Sequence, residues 1–295
     1  MFKTKLQIVQ PKNFNFRRTV LSHGWYSLPP FALDKENWIL ERVFALAGAQ
    51  PFLAQIYETE NEIEIAVEES LSPENAERLK RLVRHVLQLD ENFTGFYDLV
   101  KGEPDFAWIA ASGAGRLLRS PTVYEDLVKS ICTTNCSWAL TQKIIVNLVE
   151  KLGQPTGAGT RKNFPTAEAM SSQTIDFYKT EIRAGYRSDY LLELAERVAS
   201  GELVVEDWLK SDLPTAELKK QIKQVKGVGD YAAENLLKLI NRYDGLALDS
   251  WLRAGFAKKH NRGETAPDKQ ISEHYERFGR WRGLALWCEM TKDWL

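Results

Sequence analysis

Residues 225–253, VKGVGDYAAENLLKLINRYDGLALDSWLR, decide how this chain is read. They give the end of one helix, a tight glycine turn, a second helix, a short loop, and one aspartate at the mouth of a third helix. Gly227 and Gly229 make a G-x-G turn with little bulk and easy access to positive φ. Before the turn, Leu218, Ile222 and Val225 recur at helical spacing; after it, Ala232, Ala233, Leu236, Leu237 and Ile240 do the same. The spacing predicts two helices packed across a very short turn. The N–H groups of the turn then face outward, toward an anion such as a phosphate.

Working outward, composition bounds the rest. The 295 residues are 44% hydrophobic, with 9 Trp, 13 Phe and 10 Tyr, enough for a large packed core. No apolar run reaches bilayer length, and MFKTKLQIVQPKNFNF has no long apolar stretch of the secretory kind. A soluble intracellular protein is expected, with no membrane partner. The three cysteines, Cys132, Cys136 and Cys288, form no disulfide framework. They are too few to ligate an iron–sulfur cluster through four thiolates, and no metal site is expected from them.

The net charge of −1 is not that of a strongly basic nucleic-acid binder. Charge is unevenly spread, however. Residues 214–295 carry 15 Lys+Arg against 11 Asp+Glu, a net of +4, and the remainder carries 24 against 29, a net of −5. The positive end therefore coincides with the hairpin.

The sequence reads as α+β. LAQIYETENEIEIAVEE alternates apolar and polar residues around a turn-like ETENE, as a β-hairpin does. Residues 1–72 are expected to form a small β-rich domain and residues 73–295 a helical one. Ser72 and Pro73 mark the first turn of a helix that presents Leu79, Leu82, Val83 and Val86 on one face. Further helices are expected at 122–135, 138–152, 166–172, 174–181, 188–200, 214–225, 230–242, 250–259 and 268–278.

With Asp249 placed after the hairpin, residues 225–253 resemble the helix–hairpin–helix, Gly/Pro-rich loop and aspartate signature of the DNA glycosylase superfamily. Ala247 and Leu248 stand where that loop usually has its proline. FNFRRTVLSHGWYSLPPF (14–31), LLRSPTVYEDLVKSICTTNCSWALTQKIIVNLVEKLG (117–153), NFPTAEAM (163–170) and AGYRSDYLLELAERV (184–198) resemble, in the same order, segments of the alkyladenine and 8-oxoguanine branches. The resemblance implies an N-terminal domain of the TATA-binding-protein type. It also implies a monomer that binds double-stranded DNA and releases damaged bases in base excision repair.

What it implies for single residues follows. Asp249 is the catalytic carboxylate, beside a sugar that becomes cationic as the base leaves. Its competing role is a plain helix cap. Branches that also nick DNA carry a lysine where this chain has Tyr231, which cannot form a Schiff base. Neither Lys226 nor Lys238 is an obvious substitute, so base release without strand cleavage is expected. An aromatic residue at this position characterises the alkylation-repair branch. Alkylated purines are often cationic and aromatic faces favour cations. Tyr231, Asn235, Trp251 and Trp281 are the expected base pocket, with Trp287 a further aromatic candidate.

Cys132, Asn135, Gly185, Tyr186 and Arg187 are closer to the 8-oxoguanine branch. Asn235, however, stands in place of its pocket cysteine, and Leu140 in place of the arginine that reads the opposite cytosine. By resemblance Asn135 plugs the gap left by the flipped base, Tyr186 wedges the stack, and Arg187 contacts the estranged strand. Lys226, Gly227, Val228 and Gly229 are expected to hold the DNA backbone. In this family the hairpin carbonyls often hold a monovalent cation as well. Oxidised or deaminated bases are the alternative substrates, and non-catalytic binding of damaged DNA is the alternative function.

Overall fold

The computed structural model describes residues 2–157 and 159–294. Five strands, β1 (Thr4–Val9), β2 (Phe31–Asp34), β3 (Ile39–Phe44), β4 (Phe52–Glu58) and β5 (Glu62–Val67), form one antiparallel sheet in the order β1-β5-β4-β3-β2. The hairpin expected around ETENE is β4–β5, in a register that sets Ile56 opposite Ile65. Alternation does the sorting: Phe52, Ala54, Ile56, Ile63 and Ile65 turn inward and are buried, while Glu62 and Glu64 stay at the surface side.

The helix Pro73–Val86 starts where Ser72 Oγ accepts the Asn75 N–H at 3.2 Å, with proline in its first turn. It buries Leu79, Val83 and Val86. From there the chain is almost wholly helical. The central element is Val123–Thr133, capped by Thr122 and buried along nearly its whole length. A buried ion triad fixes it to the sheet: Arg42 of β3 meets Glu125 at 2.6 Å, and Lys129 meets the same carboxylate at 2.7 Å. Sheet and helices share one continuous apolar core.

Several expected helices are shorter than their apolar pattern. Thr215–Ile222 and Asp230–Leu239 stop three residues early, the second where Asn241 takes φ +68°. The segment expected as one helix at 174–181 is a short helix, Ile175–Phe177, that widens into a π-helical turn, Tyr178–Ile182. Among the described residues four α-helices lie outside the expected set: Phe16–Val20, Thr94–Lys101, Ala107–Ser112 and Arg282–Thr291. The last is buried almost all round. Among the described residues no helix is long and apolar enough to cross a membrane.

Candidate functional site

The hairpin forms as the spacing predicts, but its two glycines do different work. Gly227 takes φ +84°, and its Cα presses on the ring of Tyr190, where a β-carbon would come within 2.3 Å of Cδ2. Gly229 is extended, with open space at its β-position, and it is the N-cap of Asp230–Leu239 with no side chain to fill the cap. The Val228 N–H is used inside the turn, donating to the Val225 carbonyl at 3.1 Å. Its expected phosphate contact is therefore corrected: the donors left over are Gly227 and Gly229, whose N–H groups have no backbone acceptor among the described residues. Lys226 stays at the surface, paired with Glu193 at 3.1 Å.

The second hairpin helix holds the aspartate loop by two side chains one turn apart. Glu234 accepts the Ala247 N–H at 2.5 Å, and Lys238 Nζ donates to the Leu246 carbonyl at 3.1 Å. Ala247, at the position of the missing proline, takes φ +51°. The chain then enters Ser250–His260 through Asp249, whose Oδ1 accepts the Leu252 N–H at 2.7 Å. The cap locks the carboxylate in place. Tyr231 lies beside it; burial first, and then the Asp249 charge, push the Tyr231 hydroxyl up to about 12, so it stays a donor. Asn235 turns back on its own helix and donates to the Tyr231 carbonyl at 3.0 Å.

These groups face a cleft of about 1340 Å³. Tyr231, Asn235, Lys238 and Asp249 line one side; His23, Trp25, Trp138 and Trp287 line the others, with Asn135 and Tyr186 at the mouth. Trp25 is fixed by donating to Asp126 at 2.7 Å and by stacking on Trp138, with ring centroids 6.5 Å apart. Burial pushes His23 down to about 4, so its ring is neutral, and pushes Asp126 up to about 6.

Two pocket expectations need correction. Trp281 is not in the cleft: it packs in the core against Phe96 and Tyr243, at 5.3 and 5.1 Å between centroids. Trp251 is 44% exposed and lies outside the lining, bracing Trp287 and Trp294 at 5.9 and 5.8 Å. Sequence reasoning missed Trp25, His23 and Trp138 as lining residues, since nothing local marks them. Lys238 it weighed only as a substitute for the strand-nicking lysine, although a lysine inside LLKLI is itself a signal of burial.

Asn135 is exposed at φ +46° in the turn between Val123–Thr133 and Trp138–Leu152. Tyr186 is half exposed, its hydroxyl donating to the Thr134 carbonyl at 3.2 Å. Arg187, expected to touch a strand of DNA, is buried; its guanidinium lies 4.4 Å from the Tyr186 ring and donates to the same carbonyl. In this structure it supports the Asn135 loop and the Tyr186 ring from behind.

Among the described residues one group has metal-ligand chemistry, His260, His274 and Glu289, with donor atoms within 4.8 Å of one another. It lies outside the cleft and is hydrogen-bonded: His260 Nε2 is 2.8 Å from Glu289, which also accepts from Tyr275.

A five-stranded antiparallel sheet and a helical body thus carry a hairpin, a capped aspartate behind it and an aromatic cleft. No protein-family model matches the chain. A DNA-3-methyladenine glycosylase of Bacillus subtilis (strain 168) is 25% identical over 170 residues, 57% of this chain and 55% of that protein. The chain spans about half the length of the curated relatives it matches. The solved 3-methyladenine DNA-glycosylase from Archaeoglobus fulgidus superposes with a TM-score of 0.77 at 20% identity, over 97% of this chain and 98% of that one. The 8-oxoguanine glycosylase/lyase of Clostridium acetobutylicum, in complex with double-stranded DNA containing cytosine opposite 8-oxoG, gives 0.73 at 17% identity, over 99% and 98%. These relatives and neighbours are DNA glycosylases of the helix–hairpin–helix type, and this chain shares their fold.

Proposed function

We propose that this chain is a DNA glycosylase that binds damaged duplex DNA as a monomer, turns one base into the cleft and hydrolyses its N-glycosidic bond. The observation that carries this reading is Asp249: a carboxylate fixed by its own helix cap, facing an aromatic cleft large enough to admit a base directly behind the hairpin. Flipping a base costs a few kcal/mol, least for a damaged one. Phosphates flanking the site dock on the Gly227 and Gly229 N–H groups. As the C1′–N bond breaks, the Asp249 carboxylate stabilises the cationic sugar and accepts the proton of the attacking water.

The product is an intact abasic strand. Tyr231 occupies the position from which a lysine would attack the sugar, and the Lys238 amine donates to the Leu246 carbonyl. Alkylated purines are the proposed substrate class, stacked on Tyr231 among Trp25, Trp138 and Trp287.

The test is single-turnover base release from duplexes carrying 7-methylguanine, ethenoadenine, hypoxanthine, uracil or 8-oxoguanine, with wild type beside Asp249→Asn. Release from an alkylated purine, lost in the variant and without a borohydride-trapped adduct, supports the reading. Lesion binding with no release from any duplex overturns it in favour of a non-catalytic damage binder. A trapped adduct overturns the hydrolytic mechanism alone.

A further inference from the structure

Lys238 stands out in the cleft wall. The residue is only 2% exposed, yet it lines the same cavity as Asp249. An ammonium has three N–H donors. Here the Leu246 carbonyl is its one acceptor among the described residues, and no carboxylate lies close enough for an ion pair. Buried charges are ordinarily paired. A buried lysine without a carboxylate partner, facing a ligand-sized cleft, has donors left over for what enters that cleft.

Burial and the neighbouring charges act on it in opposite directions. Burial pushes the amine down to about 8, while Glu234 on its own helix and Asp249 on the loop pull the other way. From the Arg282–Thr291 helix it faces Cys288, whose thiol burial raises to about 12 and so keeps neutral, and the Trp287 ring, 5.6 Å from Nζ. At neutral pH the cleft therefore already contains a cation against an aromatic face. Tyr231 alone argues for a cationic base; a fixed ammonium in the same cavity argues against one.

We propose that Lys238 reads the flipped base: its ammonium donates to an acceptor atom on the base and repels bases with a fixed positive charge, so the chain releases uncharged damaged purines. This rests on the glycosylase reading and narrows its alkylated purines to uncharged adducts, joined by deaminated purines that present a carbonyl. The chemistry gives the ammonium a reason to be there. When an uncharged purine leaves, the electron pair of the C1′–N9 bond stays on the base, which departs as an anion while water oxygen bonds to C1′. The proton lost by the water passes to Asp249 and ends on the departed base. A donor on the base stabilises that anion. An N7-alkylated purine leaves neutral and gains nothing from the donor, while its charge is opposed throughout binding.

The experiment compares wild type, Lys238→Met, Lys238→Arg and Asp249→Asn on duplexes carrying ethenoadenine, hypoxanthine or 7-methylguanine, with thermal unfolding of each variant. Wild type is expected to favour the two uncharged bases, and that preference to fall as pH rises through about 8. Lys238→Met is expected to lose release of the uncharged bases by about 10²- to 10³-fold while 7-methylguanine release holds or rises. Lys238→Arg should keep the wild-type order.

An equal loss on all three lesions would overturn the proposal, leaving Lys238 only as the anchor of the Leu246 carbonyl. So would no change on any lesion, or a wild type that prefers 7-methylguanine. If Lys238→Met does not fold, the wild-type order and its pH dependence decide. Failure of the underlying reading looks different: wild type and Asp249→Asn would then release no base at all.

Discussion

Asp249 Oδ1 accepts the Leu252 N–H at 2.7 Å, so the candidate catalytic carboxylate is also the N-cap of the helix that follows it. One residue thus serves fold and chemistry, and two substitutions separate them. Asn caps as well as Asp, whereas Ala leaves the N–H groups of the first turn unsatisfied. Asp249→Asn is expected to unfold within a few tenths of a kcal/mol of wild type and Asp249→Ala about 1 kcal/mol below it. Both should abolish base release. Denaturant unfolding beside single-turnover release checks the two halves, and an active Asp249→Asn would reduce the residue to a cap.

Gly227 is the position in the hairpin where a side chain has no room. Its φ of +84° opposes substitution, and so does the Tyr190 ring, which an added β-carbon would meet at 2.3 Å. Gly227→Ala is expected to cost about 1–3 kcal/mol. It should also weaken binding to duplex DNA, because the turn donors shift. Adding Tyr190→Ala should recover part of the stability, since it removes the clash and leaves the backbone strain. Gly229→Ala, with open space and an extended backbone, should fold normally; calorimetry of the four proteins distinguishes the positions.

The Arg42–Glu125–Lys129 triad ties the sheet to the central helix with almost no exposure to water. Burial works against ionisation of Glu125, yet Arg42 and then Lys129 hold its carboxyl below the ordinary 4.5. A carboxyl depressed in the folded state stabilises above its unfolded pKa and loses that contribution as pH falls through the folded one. Stability should therefore decline as pH drops below 4.5. Glu125→Gln, which strands two buried cations, is expected to cost about 3–5 kcal/mol and to flatten that acid limb. Urea unfolding from pH 7 down to 3 measures both.

Tyr186 is 50% exposed and held by its hydroxyl on the Thr134 carbonyl, by the guanidinium of Arg187 behind it and by an edge-on contact with the Tyr190 ring, 5.8 Å between centroids. Tyr186→Ala should leave the unfolding midpoint near wild type and weaken lesion-DNA binding by about 1–3 kcal/mol, the worth of one base–aromatic stack. Arg187→Ala should behave in the opposite way, losing stability first, because that side chain is buried against the loop it supports. Titration of a fluorescent abasic duplex with each variant, beside thermal melts, separates wedge from support.

Much of this was legible in the sequence, and the reason is distance along the chain. The glycine turn, the helices on either side, the Ser72 and Asp249 caps and the β4–β5 hairpin all rest on spacings of two to four residues, and a linear reading sees such spacings directly. The count of three cysteines is enough to rule out four-thiolate ligation of an iron–sulfur cluster. Only the tertiary structure decided which aromatic residues face the cleft. Trp287 lines it because its indole donates to Ser22, 265 residues away, whereas Trp281, six residues earlier, is taken into the core by Phe96 and Tyr243. The same holds for Arg187, which the resemblance sets against DNA and the packing sets inside, and for the cleft that Lys238 lines. A hydrogen bond to the next turn is written in neighbouring residues; the direction a buried side chain faces is set by whichever distant segment packs against it.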